Sequence, residues 1–317
     1  MPARDWPLAA GLAAGVLLDA MAGDPRRGHP VAAFGRAAAR LESRLYADDR
    51  VRGSVFAGAS VLGAALPAVS AHWLTRGRPL LRGAAVAAMV WTVTGARSLR
   101  DEAERVADAL DASDLAAARD ALPGLCGRDP GRLDAKGLAR AVVESVAENT
   151  SDAAVAPLLW AAVAGLPGMA VYRAVNTLDA MVGYRSPRYE RFGWASARLD
   201  DVANWVPARA TAALAAACAP AAGGSPVAAL RAVSRYGGHH PSPNAGRPEA
   251  AFAGALGLRL GGPSTYDGVT EHRPELGDGR PPEVADIRRA QRLSRSVTIA
   301  AAALAVLVPL TPRRGGR

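Results

Sequence analysis

Glu144, Glu148 and Asp152 recur every fourth residue within Val143 to Asp152, VESVAENTSD. On an α-helix that spacing brings the three carboxylates to one face. They repel there unless a cation or arginines sit between them. Two readings follow. One is a magnesium or magnesium-nucleotide site, because Mg2+ takes oxygen ligands and substrate phosphates. The other is a solvated helix face, with Ser151 or Asp152 capping the next helix.

Two further words carry similar groups. RAVNTLDAMVGYRSPRYERFG runs from Arg173 to Gly193 and holds Asn176, Thr177 and Asp179; SARLDDVANWVPAR runs from Ser196 to Arg209 and holds Asp200, Asp201 and Asn204. The adjacent Asp200–Asp201 pair either offers one carboxylate to a metal and the other to an arginine, or starts a helix at Val202. Gly237 to Asn244, GGHHPSPN, is a rigid loop. Its adjacent histidines lack the i, i+4 spacing of a helical zinc site, so His239, His240 and Asn244 point to a phosphate or carboxylate contact. The loop Asp24-Pro25-Arg26-Arg27-Gly28-His29-Pro30 has the same character; its other reading is an interfacial turn with snorkelling arginines. The single lysine, Lys136, precedes Gly137, so there is no Walker A loop. Neither a G-x-G-x-x-G nor a G-x-S-x-G motif occurs.

The elements that must position these groups are apolar. Hydrophobic residues make up 50% of the 317 and charged residues 21%. The mean hydropathy of +0.05 averages apolar runs with arginine-rich loops. The formal charge of +9 favours an anionic ligand or lipid. With aromatics at 5%, scattered, and no RNA-reading motif, nucleic acid is the weakest of the partners that charge suggests, and none is expected. Cys126 and Cys218 form neither a disulfide framework nor a C-x-x-C pair. Leu8 to Ala22, Gly53 to Leu74, Gly83 to Ala96, Ala153 to Tyr172, Trp205 to Ala222 and Val297 to Leu310 are the candidate spans. A bilayer core asks for about 20 mostly apolar residues, which Gly53 to Leu74 meets most comfortably. The first run resembles a secretory signal, but Asp5 and Asp19 favour a first membrane helix. Gly165-Leu166-Pro167-Gly168 interrupts the fourth run, which predicts a broken span or a re-entrant hairpin.

The expected fold is all-α: a polytopic membrane protein with about four to six embedded segments. Residues 1–317 form a single membrane-embedded domain in this reading, with a polar helical region at 97–152 and a loop-rich polar region at 223–296. In the latter, helices are expected around Pro248 to Leu260 and from Pro282 to Arg295. The competing reading is a soluble helical protein with buried alanine-rich helices.

At these words the chain resembles the CobD/CbiB family, the adenosylcobinamide-phosphate synthases of cobalamin biosynthesis. The matching words are GDPRRGHP, GRDP, VESVAENTSD, RAVNTLDAMVGY, SARLDDVANWVPAR, HHPSPN and GALGLRLGGP, in family order from Gly23 to Pro263. The resemblance implies a multi-pass inner-membrane enzyme. It joins adenosylcobyric acid to (R)-1-aminopropan-2-ol or its O-phosphate through an amide, with ATP and Mg2+, and its catalytic loops face the cytoplasm. It also implies association with other membrane enzymes of corrinoid synthesis. Carried over by motif, Glu144, Glu148, Asn149, Asp179 and Asp200 are catalytic candidates; Glu148, Asp152, Asp179 and Asp201 are metal candidates. Asp24, Arg26, His29, Arg173, Asn176, Arg185, Arg198, His239, His240 and Asn244 are substrate-binding candidates. A membrane transporter or scaffold for corrinoid precursors is the alternative, since broken helices beside polar residues suit it.

Overall fold

A computed structural model of the chain describes residues 5–25, 28–131, 133–184, 186–266 and 269–311. Arg26 and Arg185 lie outside the described residues. The helices are α1 (Trp6–Ala22), α2 (Pro30–Leu45), α3 (Arg50–Leu74), α4 (Pro79–Val93), α5 (Ala96–Asp111), α6 (Leu115–Ala121), α7 (Ala135–Thr150), α8 (Ala156–Leu178), α9 (Trp194–Ala203), α10 (Trp205–Cys218), α11 (Pro226–Tyr236), α12 (Gly246–Leu256) and α13 (Val284–Leu307). One antiparallel hairpin, β1 (Leu260–Tyr266) and β2 (Val269–Leu276), follows α12.

Among the described residues, four helical stretches are long and apolar enough to cross a bilayer: Arg50–Leu74, Pro79–Asp111, Ala135–Gly183 and Val284–Leu310. The protein is thus a polytopic helical membrane protein, as its apolar runs predict. The first run forms the 17-residue α1, and the Trp205 run forms the 14-residue α10. Both are shorter than the four.

The chain divides into two compact units. The first comprises Met1–Gly95, Ala156–Asn204 and Ala301–Arg317. In it α1 lies against α4. Cβ atoms at Gly11 and Gly15 would meet Gly83 O at 2.6 Å and Val90 Cβ at 2.5 Å, so only glycine permits this approach. Association without a hydrophobic drive depends on such small residues. Asp5 caps α1 and also pairs with Arg82 Nη2 at 2.5 Å. A separate apolar cluster of Ala38, Phe56, Leu178, Val182 and Phe192 joins α2, α3, α8 and the approach to α9.

In α8, Gly165 has φ 60 and ψ −144, which breaks the helix where Gly-Leu-Pro-Gly predicts a break. Two π-helical turns flank α8, at Ser151–Val155 and Asp179–Gly183. Such turns often mark functional sites.

The second unit comprises Ala96–Val155 and Trp205–Ala300. The acids of α5 face α13: Arg288 pairs with Glu104, Asp108 and Asp111 at 2.9, 2.7 and 2.5 Å. Asp286, buried near the start of α13, accepts from Arg280 at 2.7 Å and from Arg289 at 2.8 Å.

The region at 223–296 is more ordered than its glycines and prolines predict. It contains α11 and the hairpin besides the two expected helices, which run Gly246–Leu256 and Val284–Leu307. The correction has a local cause: Ser225 caps α11 by accepting from Ala228 N at 3.2 Å, and Pro226 opens that helix.

Candidate active site

Four of the sequence words meet in the second unit. Arg128 of GRDP and Glu144 of VESVAENTSD form an ion pair with side chains only 4% and 3% exposed. The other oxygen, Glu144 Oε1, accepts from Gly261 N at 2.6 Å, and Gly261 lies in GALGLRLGGP. One turn earlier on α7, Arg140 donates Nη1 to Gly261 O at 2.6 Å and Nη2 to Pro263 O. The root of the hairpin is thereby fastened to α7. Without those two oxygens and that amide, the buried charges would face a large desolvation penalty.

The fourth word supplies His240. Its Nδ1 accepts from Ser242 N at 3.0 Å, so the proton of the neutral ring resides on Nε2. That Nε2 lies 3.9 Å from Glu249 Oε1, beyond hydrogen-bonding distance. Neither atom has a hydrogen-bond partner. A Cβ on Gly246 would sit 2.4 Å from His240 Cβ, so the glycine that opens α12 makes room for the ring. Burial, with the charge of Arg273 second, lowers the imidazole to about 4. Burial and then the negative charges of Glu144 and Glu148 push the Glu249 carboxyl well above the ordinary range. Burial thus disfavours the charged form of both groups.

The neighbouring candidates differ. His239 is exposed and stands edge-on to Tyr236 at 5.9 Å. Asn244 is buried and accepts from Arg209 Nη1 at 3.5 Å. Asn149 turns along its own helix, donating to Ser145 O at 2.9 Å and Ser145 Oγ at 3.1 Å.

Glu144 and Glu148 lie one turn apart on α7, which ends at Thr150, and Asp152 sits in the π turn that follows. Glu144 is not on a solvated face, because Arg128 and Gly261 enclose it. Nor does Asp152 cap the next helix, being inside that turn.

The first unit holds a second polar cluster. Tyr172 Oη donates to Asn204 Oδ1 at 3.0 Å. Asn204 Nδ2 donates to both oxygens of Asp200, each at 3.0 Å. Asn176 Nδ2 reaches Asp200 Oδ1 at 3.4 Å, and Arg173 Nη1 reaches Asn176 Oδ1 at 3.4 Å. Burial raises the Asp200 carboxyl above its ordinary range, against the lowering effect of the Asn204 and Asn176 bonds. The helix-start reading of Asp200 and Asp201 is corrected: both lie inside α9, and α10 begins only at Trp205.

Asp201 pairs with Arg198 at 2.8 Å, three residues apart on one helix. Asp179 opens the second π turn, and its Oδ1 would lie 1.9 Å from a Cβ at Gly183. His29 is the N-cap of α2, its Nδ1 accepting from Val31 N at 3.2 Å. Asp24 is half-buried just ahead of it.

Of the metal candidates, Glu148 and Asp152 belong to the second unit, and Asp179 and Asp201 to the first. No three His, Cys, Asp or Glu among the described residues form a group that could hold a metal ion.

Arg128, Arg140 and Glu249 escaped selection from the sequence. Arg128 lies in a matching word, whereas Glu249 lies outside all of them.

A polytopic helical membrane protein that buries two clusters of acids, amides and arginines binds or reacts with something polar. The CobD/Cbib protein family matches residues 12–294, and the chain belongs to that family. It is 56% identical over 314 residues to the cobalamin biosynthesis protein CobD of Mycobacterium tuberculosis, covering 97% of this chain and 98% of the relative. The proteins of the same name from Geobacter metallireducens and Rhodobacter capsulatus are 47% and 45% identical, covering 83% and 85% of this chain and 84% and 86% of the relatives. No solved structure matches the chain.

Proposed function

We propose that this protein acts in cobalamin biosynthesis as an amide-forming ligase, joining adenosylcobyric acid to (R)-1-aminopropan-2-ol or its O-phosphate. The observation that carries this reading is the meeting of Arg128, Glu144 and Gly261, from three family words, in one buried cluster. Family membership over most of the chain supports the pathway.

The chemistry asks for few groups. A propionate carboxylate is a poor acyl donor until phosphoryl transfer from ATP converts it to an acyl phosphate. The amine then attacks the carbonyl carbon, phosphate leaves, and a base takes the ammonium proton. Arginines stabilise phosphate charge. Arg128 and Arg140 in the second unit are arginines of this kind. Magnesium belongs to the proposal through one or two carboxylates together with substrate phosphates, a donor set smaller than a protein cage. In this reading the catalytic groups face the cytoplasm of a bacterial inner membrane, and the protein associates with other membrane enzymes of corrinoid synthesis.

The test uses purified protein in detergent with adenosylcobyric acid, aminopropanol phosphate, ATP and Mg2+. Mass spectrometry should detect adenosylcobinamide phosphate. Uptake of corrinoid into proteoliposomes with no amide product would favour the transporter reading instead.

A further inference from the structure

The first unit contains a cavity of about 560 Å3 between α2, α3, α4 and α8. Its volume lies in the range of small-ligand sites, roughly 300–1,000 Å3. Phe34, Met89 and Val93 typify its apolar lining. Three side chains depart from it, and of these Thr92 spends its hydroxyl on Ala88 O and Met89 O, each at 3.0 Å. Ser60 is 6% exposed, and its Oγ has no hydrogen-bond partner. Arg173 has an Nε without a partner and only a 3.4 Å contact from Nη1 to Asn176. Pro67 also lines the cavity and has no N–H to give the Gly63 carbonyl one turn back. The wall of α3 therefore offers a hydroxyl beside a backbone acceptor that lacks its usual helical donor.

The other side of α3 presents Leu62 and Leu66, which are 60% and 63% exposed. In a spanning helix those residues meet hydrocarbon, so the cavity lies one helix away from lipid. An arginine in a membrane helix that lines a cavity marks a binding site by default. Basic pockets between membrane helices recognise anionic lipid head groups. A free phosphate has no use for so large an apolar space, and a corrinoid rimmed with amides would leave its polar groups unpaired on these walls. The ligand that matches is an amphiphile with one anionic group and one long apolar chain.

We propose that this cavity holds one acyl chain of an anionic phospholipid, with the lipid phosphate on Arg173 and an ester carbonyl accepting from Ser60. This assignment does not depend on the amide-forming reaction. It predicts a resident lipid whether or not the protein makes the amide.

The experiment delipidates the full-length protein in mild detergent and adds phosphatidylglycerol or phosphatidylcholine, reading bound lipid by native mass spectrometry. A Cβ at Gly63 meets nothing within 4 Å, so Gly63→Phe should fill the cavity without a clash. The wild type should retain one phosphatidylglycerol in preference to phosphatidylcholine. Gly63→Phe should bind it at least about tenfold more weakly. Arg173→Gln should lose the preference between head groups, and Arg173→Lys should restore it. If Gly63→Phe does not give a monodisperse protein, Ala64→Leu replaces it, since Ala64 lines the same cavity. Equal phosphatidylglycerol binding by wild type and the filled variant would overturn the proposal, as would equal binding of both lipids by the wild type.

Discussion

His240 Nε2 and Glu249 Oε1 face each other at 3.9 Å with side chains 6% and 2% exposed, and neither is hydrogen-bonded. Burial disfavours the charged form of both groups, and their effects on stability run in opposite directions with pH. The folded pKa of Glu249 is raised, so its contribution is present below the ordinary carboxylate range and lost as pH rises toward the folded value. The folded pKa of His240 is lowered to about 4, so its contribution is present above the ordinary imidazole value and lost as pH falls toward 4.

Glu249→Gln removes the first effect and keeps the shape. Its melting temperature relative to the wild type should therefore climb as pH is raised from 5 to 9, a range of about four units chosen to span the ordinary values. Thermal melts in detergent at several pH values measure this. A constant offset between variant and wild type would show that Glu249 does not hold its proton.

The Arg128–Glu144 pair should behave as a buried ion pair. Glu144→Gln leaves Arg128 buried without its carboxylate and should cost about 3–5 kcal/mol. Arg128→Met combined with Glu144→Leu should cost less than either single change, because no charge is left behind. Denaturation of the four proteins in a mutant cycle checks the coupling.

Asp200 separates catalysis from structure. Asp200→Asn keeps the volume and one acceptor for the Asn204 and Asn176 amides. It should shift stability by only about 1 kcal/mol. If Asp200 serves the amide-forming reaction, turnover should fall about a hundredfold or more. Near-normal product formation would return the residue to a purely structural role.

The four spanning stretches predict that the protein resists carbonate extraction from membranes. Single cysteines placed at Asp179 and His239, in a background lacking Cys126 and Cys218, should escape an impermeant thiol reagent in intact cells and react in lysed ones. Labelling from outside would place those loops on the wrong side for a cytoplasmic phosphoryl donor.

Much of the architecture was legible in local chemistry. The run Gly53 to Leu74 became α3 almost residue for residue, because an uninterrupted apolar stretch needs no partner to declare itself. Gly165 and Pro167 broke α8 where they stood, since backbone preference is a property of the residue itself. The family words were legible too, and two of their acids, Glu144 and Asp200, became centres of polar clusters.

What only the tertiary structure decided was the company each charge keeps. Spacing aligned Glu144, Glu148 and Asp152, but Arg128, 16 residues away, claimed the first. His239 and His240 are neighbours in sequence, yet one is exposed and the other is buried against Glu249. Glu249 lies outside the matching words, and periodicity reports which face a residue occupies and not what lies over it. Burial is a property of packing between distant segments. The ionisation of His240 and Glu249 depends on burial, so it became definite only once α12 and the loop before it had closed on each other.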